Sequence, residues 1–99
     1  ARAAARTRLF GLYEELRQAG RESDELRDAV LPELQKALDA TRYAYDRGRY
    51  GYVELADAQR EFLEARAARI DAASLARDLL IDIERLTGEA LVTTGSETP

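Results

Sequence analysis

Two groups of side chains in this chain have the types and spacing to do chemistry. The first is Tyr45-Asp-Arg-Gly-Arg-Tyr-Gly-Tyr52, which with Arg42 and Tyr43 interleaves tyrosines and arginines around Gly48 and Gly51. Arginine supplies a fixed cation with a planar donor fork, and tyrosine supplies flat amphipathic surface. Such a set can stack on bases and contact phosphates of RNA. It can equally anchor a protein interface, where Tyr and Arg are enriched. Tyr45 and Tyr52 stand one turn either side of the glycines and can instead pack the end of the hairpin. Arg47, Arg49 and Tyr50 have less to pack against, and contact with a partner is the expectation for them.

The second group is a line of carboxylates. Glu54, Asp57, Glu61, Glu64, Asp71, Asp78 and Asp82 fill seven of nine positions spaced alternately by three and four, with Ala68 and Leu75 in the others. Like charges at that spacing on a helix oppose each other by about 0.2–0.5 kcal/mol per pair. One reading is a solvated face partly relieved by Arg60, Arg77 and Arg85. The other is a surface turned to an aqueous space where negative potential is useful, such as the lumen of a conduit for cations.

Catalysis finds little material. The chain has no His and no Cys, so the commonest general base, soft metal ligand and strong nucleophile are missing. A zinc, copper or haem site would have to be built from carboxylates alone, and no metal or cofactor is expected. Arg47-Gly-Arg-Tyr-Gly51 lacks the strand and the Lys-Ser/Thr of a phosphate-binding loop. The expectation is a protein that is not an enzyme.

Charge narrows the partner classes. The net charge of −4 argues against general nucleic-acid binding. Only residues 42–52 are net positive, with three bases against one acid. No stretch approaches the ~18 apolar residues of a membrane helix. The chain begins at Ala1 rather than Met and reads as a piece of something longer.

Long helices must position these groups. A first helix is expected over about residues 3–46, on a seam of Leu9, Leu12, Leu16, Ala19, Ser23, Leu26, Val30, Leu34, Ala37, Thr41 and Ala44. Pro32 removes one helical hydrogen bond and crowds the preceding turn, which predicts a kink near residues 28–31. Gly48 and Gly51 allow the chain to reverse at a tip over residues 47–51. A second helix follows over about 52–87, with Gly51 as N-cap and Glu54 three residues on. Its seam is Leu55, Ala58, Phe62, Ala65, Arg69, Ala72, Ala76, Leu79, Ile83 and Leu86. Thr87-Gly88 gives a stop signal, and residues 89–99 read as a flexible tail beyond a hairpin of residues 1–88.

The fold class is therefore all-α, a long antiparallel two-helix coiled coil. The second helix carries a further apolar flank of Ala56, Leu63, Ala67, Ile70, Leu80 and Ile81. A lone hairpin leaves that flank bare, which implies self-association or a missing part of the chain.

The tip and the start of the second helix, Ala44-Tyr-Asp-Arg-Gly-Arg-Tyr-Gly-Tyr-Val-Glu-Leu-Ala-Asp-Ala-Gln-Arg60, closely resemble the C-terminal repeat of TolC-type outer-membrane efflux factors. Val30-Leu-Pro32 and Ile83-Glu-Arg-Leu-Thr-Gly88 resemble the heavy-metal (CzcC/CusC-like) branch. The resemblance covers most of residues 25–91. It implies a homotrimer with an outer-membrane β-barrel and a periplasmic α-barrel, of which this chain is the last hairpin. It also implies docking of a periplasmic adaptor at the tip, fed by an inner-membrane resistance-nodulation-division pump that exports metal cations. Tyr45, Arg47, Gly48, Arg49, Tyr50 and Gly51 fall at the adaptor-docking and gate positions. Tyr50 departs from the arginine of the founding member's gate, and Gly51 from a common Ser/Thr cap.

Two other classes compete. A nucleic-acid arm would carry basic residues along its flanks, whereas residues 53–87 hold five bases against eight acids. A generic coiled-coil spacer needs no such tip. The efflux-channel hairpin is the reading the residues favour.

Overall fold

The computed structural model describes the backbone of residues 2–97 and the side-chain surroundings of residues 2–89. The chain is helical in two long arms. Helix α1 (Arg2–Glu25), a π turn (Leu26–Val30) and helix α2 (Leu31–Asp46) form the first arm, and helix α3 (Tyr52–Glu97) the second. Both α1 and α2 pack along α3, giving a rod of 79 × 18 × 17 Å. That width is two helices side by side.

Pro32 explains the π turn. In an α-helix its missing N–H would have served the carbonyl of Asp28, and its ring would press on that carbonyl. The chain widens the turn instead, and the Leu31 N–H donates to the carbonyl of Leu26, five residues back. Glu25 (φ −64°, ψ −43°) and Val30 (φ −75°, ψ −53°) keep helical backbone at the two junctions. The disturbance expected near residues 28–31 is thus a π turn within one continuous arm.

The turn also shifts the seam. All ten expected seam positions of α3 are buried or half-buried, Arg69 included. On the first arm the expected positions hold through Leu34, but then Leu38 is buried and Ala37 is exposed. The seam runs Leu26, Val30, Leu34, Leu38 in three successive steps of four. Subtracting the one residue that a π turn adds leaves about 3.7 residues per turn, an ordinary helical period. The step to Ala37 assumed an unbroken α period.

A second correction concerns the end of α3. The helix passes through Gly88 and continues to Glu97, so neither the stop at Thr87-Gly88 nor a loose segment over residues 89–97 is present. Gly88 stays in right-handed helical backbone. A glycine ends a helix through a left-handed residue, and without one its cost is only about 1 kcal/mol relative to alanine. Residues 98–99 of the expected tail lie outside the described residues.

The core is thin. Ala19, Leu38, Leu55, Ala72, Leu79 and Ile83 are its buried members, and no described side chain is wholly enclosed. Truncating Leu38 should therefore cost about 2–3 kcal/mol, the low end for a core leucine in a site that can partly collapse. Ala37→Ser should stay within ~0.5 kcal/mol. Thermal unfolding of the two variants checks the assignment, and equal losses would refute it.

Candidate functional site

The tip is built by backbone hydrogen bonds. Asp46 ends α2, and Gly48 takes φ +73°, the only described residue with positive φ. The Gly48 N–H donates to Tyr45 C=O at 3.0 Å, and the Arg49 N–H donates to Ala44 C=O at 2.9 Å. This pair of bonds around a left-handed glycine is a Schellman motif, and it satisfies carbonyls that the helix end would leave bare. The Tyr50 N–H also approaches Ala44 C=O at 3.4 Å.

Gly51 then opens α3, accepting from the Leu55 N–H at 3.4 Å. Glu54 folds back so far that a Cβ on Gly51 would meet its Oε2 at 3.0 Å. Its carboxylate sits in the first turn, where the helix dipole favours negative charge. Gly51 thus stands in the N-cap place expected for it, while no hydrogen bond among the described residues joins Glu54 to Gly51 in the expected capping box.

The tip side chains divide into two sets. Tyr45 and Tyr52 pack edge to face across the reversal, with ring centroids 6.4 Å apart. Arg47 lays its guanidinium over the ring of Tyr43, 4.1 Å from the centroid. That contact was not anticipated, although the four-residue spacing on one helix face could have signalled it. Arg49 and Tyr50 remain exposed at the apex, and no described side chain makes a hydrogen bond, ion pair or ring contact with theirs. Of the three residues expected to face a partner, Arg47 is held by its neighbour while Arg49 and Tyr50 point to solvent.

The acidic line is real as a surface feature. Glu54, Glu61, Glu64, Asp71, Asp78 and Asp82 are exposed and Asp57 is half-buried. Arg60 serves two of them, reaching Asp57 at 3.0 Å and Glu64 at 3.8 Å. Every member precedes a seam residue. In an antiparallel pair the positions before each seam residue lie on one side of the rod, and those after it on the other. The first arm adds Glu15, Glu22, Glu25 and Glu33 to the acidic side, so that side carries eleven carboxylates against Arg8 and Arg85. The opposite side has five bases against three acids.

On the π turn, Arg27 grips Asp28 through two bonds of 2.7 and 3.0 Å. This holds the Asp28 carboxyl below its usual range, with lesser help from Arg69 across on α3. Among the described residues no group of three His, Cys, Asp or Glu is placed to hold a metal ion. None of their helices is long and apolar enough to cross a membrane.

Two predictions follow from this geometry. A Cβ at Gly48 meets nothing within 4 Å, so Gly48→Ala should cost only the left-handed conformation, about 1–2 kcal/mol. Gly48→Asn should cost less, since asparagine tolerates that region. Equal losses in thermal melts would show that the turn is not set by φ. Asp78→Lys should instead stabilise the rod by about 0.5–1 kcal/mol, turning a repulsion with Asp82 into an attraction. A fall in melting temperature would contradict the reading of a self-repelling side.

Comparison of the chain with protein-family models, with curated proteins and with solved structures finds no match.

Proposed function

We propose that this chain is the periplasmic tip hairpin of a trimeric, TolC-type outer-membrane efflux channel, in the branch that exports metal cations. The hairpin has no catalytic part. It forms one segment of an α-barrel wall, and its tip receives a periplasmic adaptor that links the channel to an inner-membrane resistance-nodulation-division pump. The observation that carries the reading is the tip. A Schellman turn on Gly48 fixes the apex and leaves Arg49 and Tyr50 exposed and unengaged, the residue types that anchor protein contacts. Tyr45 and Tyr52 brace the helix ends behind them.

The acidic side supports the same reading. Eleven carboxylates on one side of a rod cost self-repulsion that a lumen for cations would put to use. Residues 54–82 would then line the conduit. The charge distribution also weighs against a nucleic-acid arm, because the only cationic surface of that length is broken by Asp24, Asp39 and Glu84.

The reading makes a demand on the gene. Upstream of Ala1 the parent should encode amphipathic β-strands and an earlier copy of the hairpin, and a parent without them overturns the proposal. In that parent, Gly48→Trp should abolish export and crosslinking to the adaptor while the trimer still assembles. A bulky residue there strains the left-handed turn and intrudes where the tip meets its partner. Normal export and crosslinking by the variant would show that the tip is not the docking site.

A further inference from the structure

We infer that Arg69 chooses the partner of the α3 seam, favouring the first arm of its own chain and barring the α3 of a second copy. The ten seam positions of α3 run from Leu55 to Leu86, and nine of them are apolar. Leu55, Ala72, Leu79 and Ile83 among them are buried where α3 packs on the first arm. Arg69 is the exception, half-buried in the same row. The inference rests on this row alone and stands or falls apart from the channel reading.

An apolar row of this length is a coiled-coil strand in its own right. Hydrophobic burial is not directional, so leucine and alanine layers accept a second α3 as readily as the first arm. That error is open to the chain whenever it folds beside other copies with its seam still uncovered. A side chain that tells the two partners apart must interact differently with each, because specificity is a difference of affinities.

Arg69 does so by charge and by place. It is fifth of the ten positions, next to the midpoint of the row. In a parallel, in-register pair of α3 rows each Arg69 faces the Arg69 of the other copy. In an antiparallel pair with full overlap Leu55 opposes Leu86 and Arg69 opposes Ala72, so the two arginines lie only about 4.5 Å apart along the axis. Either orientation sets cation against cation inside an apolar seam, and sliding the rows apart uncovers apolar layers at both ends. Against the first arm the same cation meets the field of the Asp28 carboxylate on the π turn, which it helps to hold below its usual range. Arg69 makes no hydrogen bond or ion pair with any described residue, so within the hairpin itself a leucine would serve at least as well. One polar position in an apolar row, kept at a cost in stability, is how coiled coils fix their partners.

The chain has no cysteine, so a single one placed in the row reports which helix lies opposite. Ala72 is buried in the hairpin and stands near enough to the midpoint to meet its counterpart in either orientation of an α3 pair. Chains carrying Ala72→Cys are refolded from urea at high concentration and oxidised with glutathione disulfide. Adding Arg69→Leu should raise the disulfide-linked dimer at least roughly tenfold, while adding Arg69→Lys, which keeps the charge, should leave it within about twofold. Arg69→Leu should also melt no lower than the parent chain, which separates partner choice from simple loosening of the hairpin. Sedimentation of the same variants without the cysteine should give the same order of association. The inference is overturned if Arg69→Leu yields no more dimer than the parent, or if Arg69→Lys yields as much as Arg69→Leu. Extra dimer that comes with a lower melting temperature overturns it equally.

Discussion

One narrow apolar stripe holds the two arms together, and everything else in this rod is conditioned by keeping that stripe in phase. A globular domain spreads its core over several contacts per side chain. Here each helix offers a single row to its partner, and a slip of one residue would swing that row by about 100° into water. The proline at position 32 threatens such a slip. The π turn beside it meets the threat, because it accommodates the ring and lets Leu34 and Leu38 arrive facing α3. At the other end, the left-handed backbone of Gly48 sets the point of reversal and so the pairing of every layer behind it.

The same narrowness divides the surface. With the seam only one row wide, the residues before and after it become the two broad sides of the rod, free to differ in character. One has gathered carboxylates and the other apolar and aromatic groups. An evenly polar surface would serve a spacer equally well. Segregation of this kind gives a rod two separate environments, one wet and charged and one suited to burial. The tip is a third, cationic and aromatic, at the point where the two sides meet.

Much of this was legible from residue spacing. The seam of α3 was readable throughout because no breaker interrupts its period between Tyr52 and Leu86. The reversal was readable because glycines at 48 and 51 stand between two periodic runs. Where reading failed, the cause was local. The period leads from Leu34 to Ala37 rather than to Leu38 because a π turn adds a residue that hydrophobic periodicity does not announce. Gly88 looks like a C-cap and so suggests too early an end for α3, yet a glycine C-cap needs a positive φ that Gly88 does not take. At the tip, residue types gave the right neighbourhood but not the partition, since the stacking of Arg47 on Tyr43 decides which cation is left at the apex.

The π turn has one further consequence, for how this arm tolerates changes of length. Long helices in a paired rod usually reject insertions and deletions, since one residue more or fewer rotates all that follows. A π turn is a helix that has already absorbed one surplus residue. Removing Ala29 together with replacing Pro32 by alanine would return the segment to ordinary α-helix and leave Leu34, Leu38 and Thr41 facing α3 as before. The arm therefore has one site, between Leu26 and Val30, where its length and its pairing are uncoupled, and related rods that differ by a single residue would be expected to differ there.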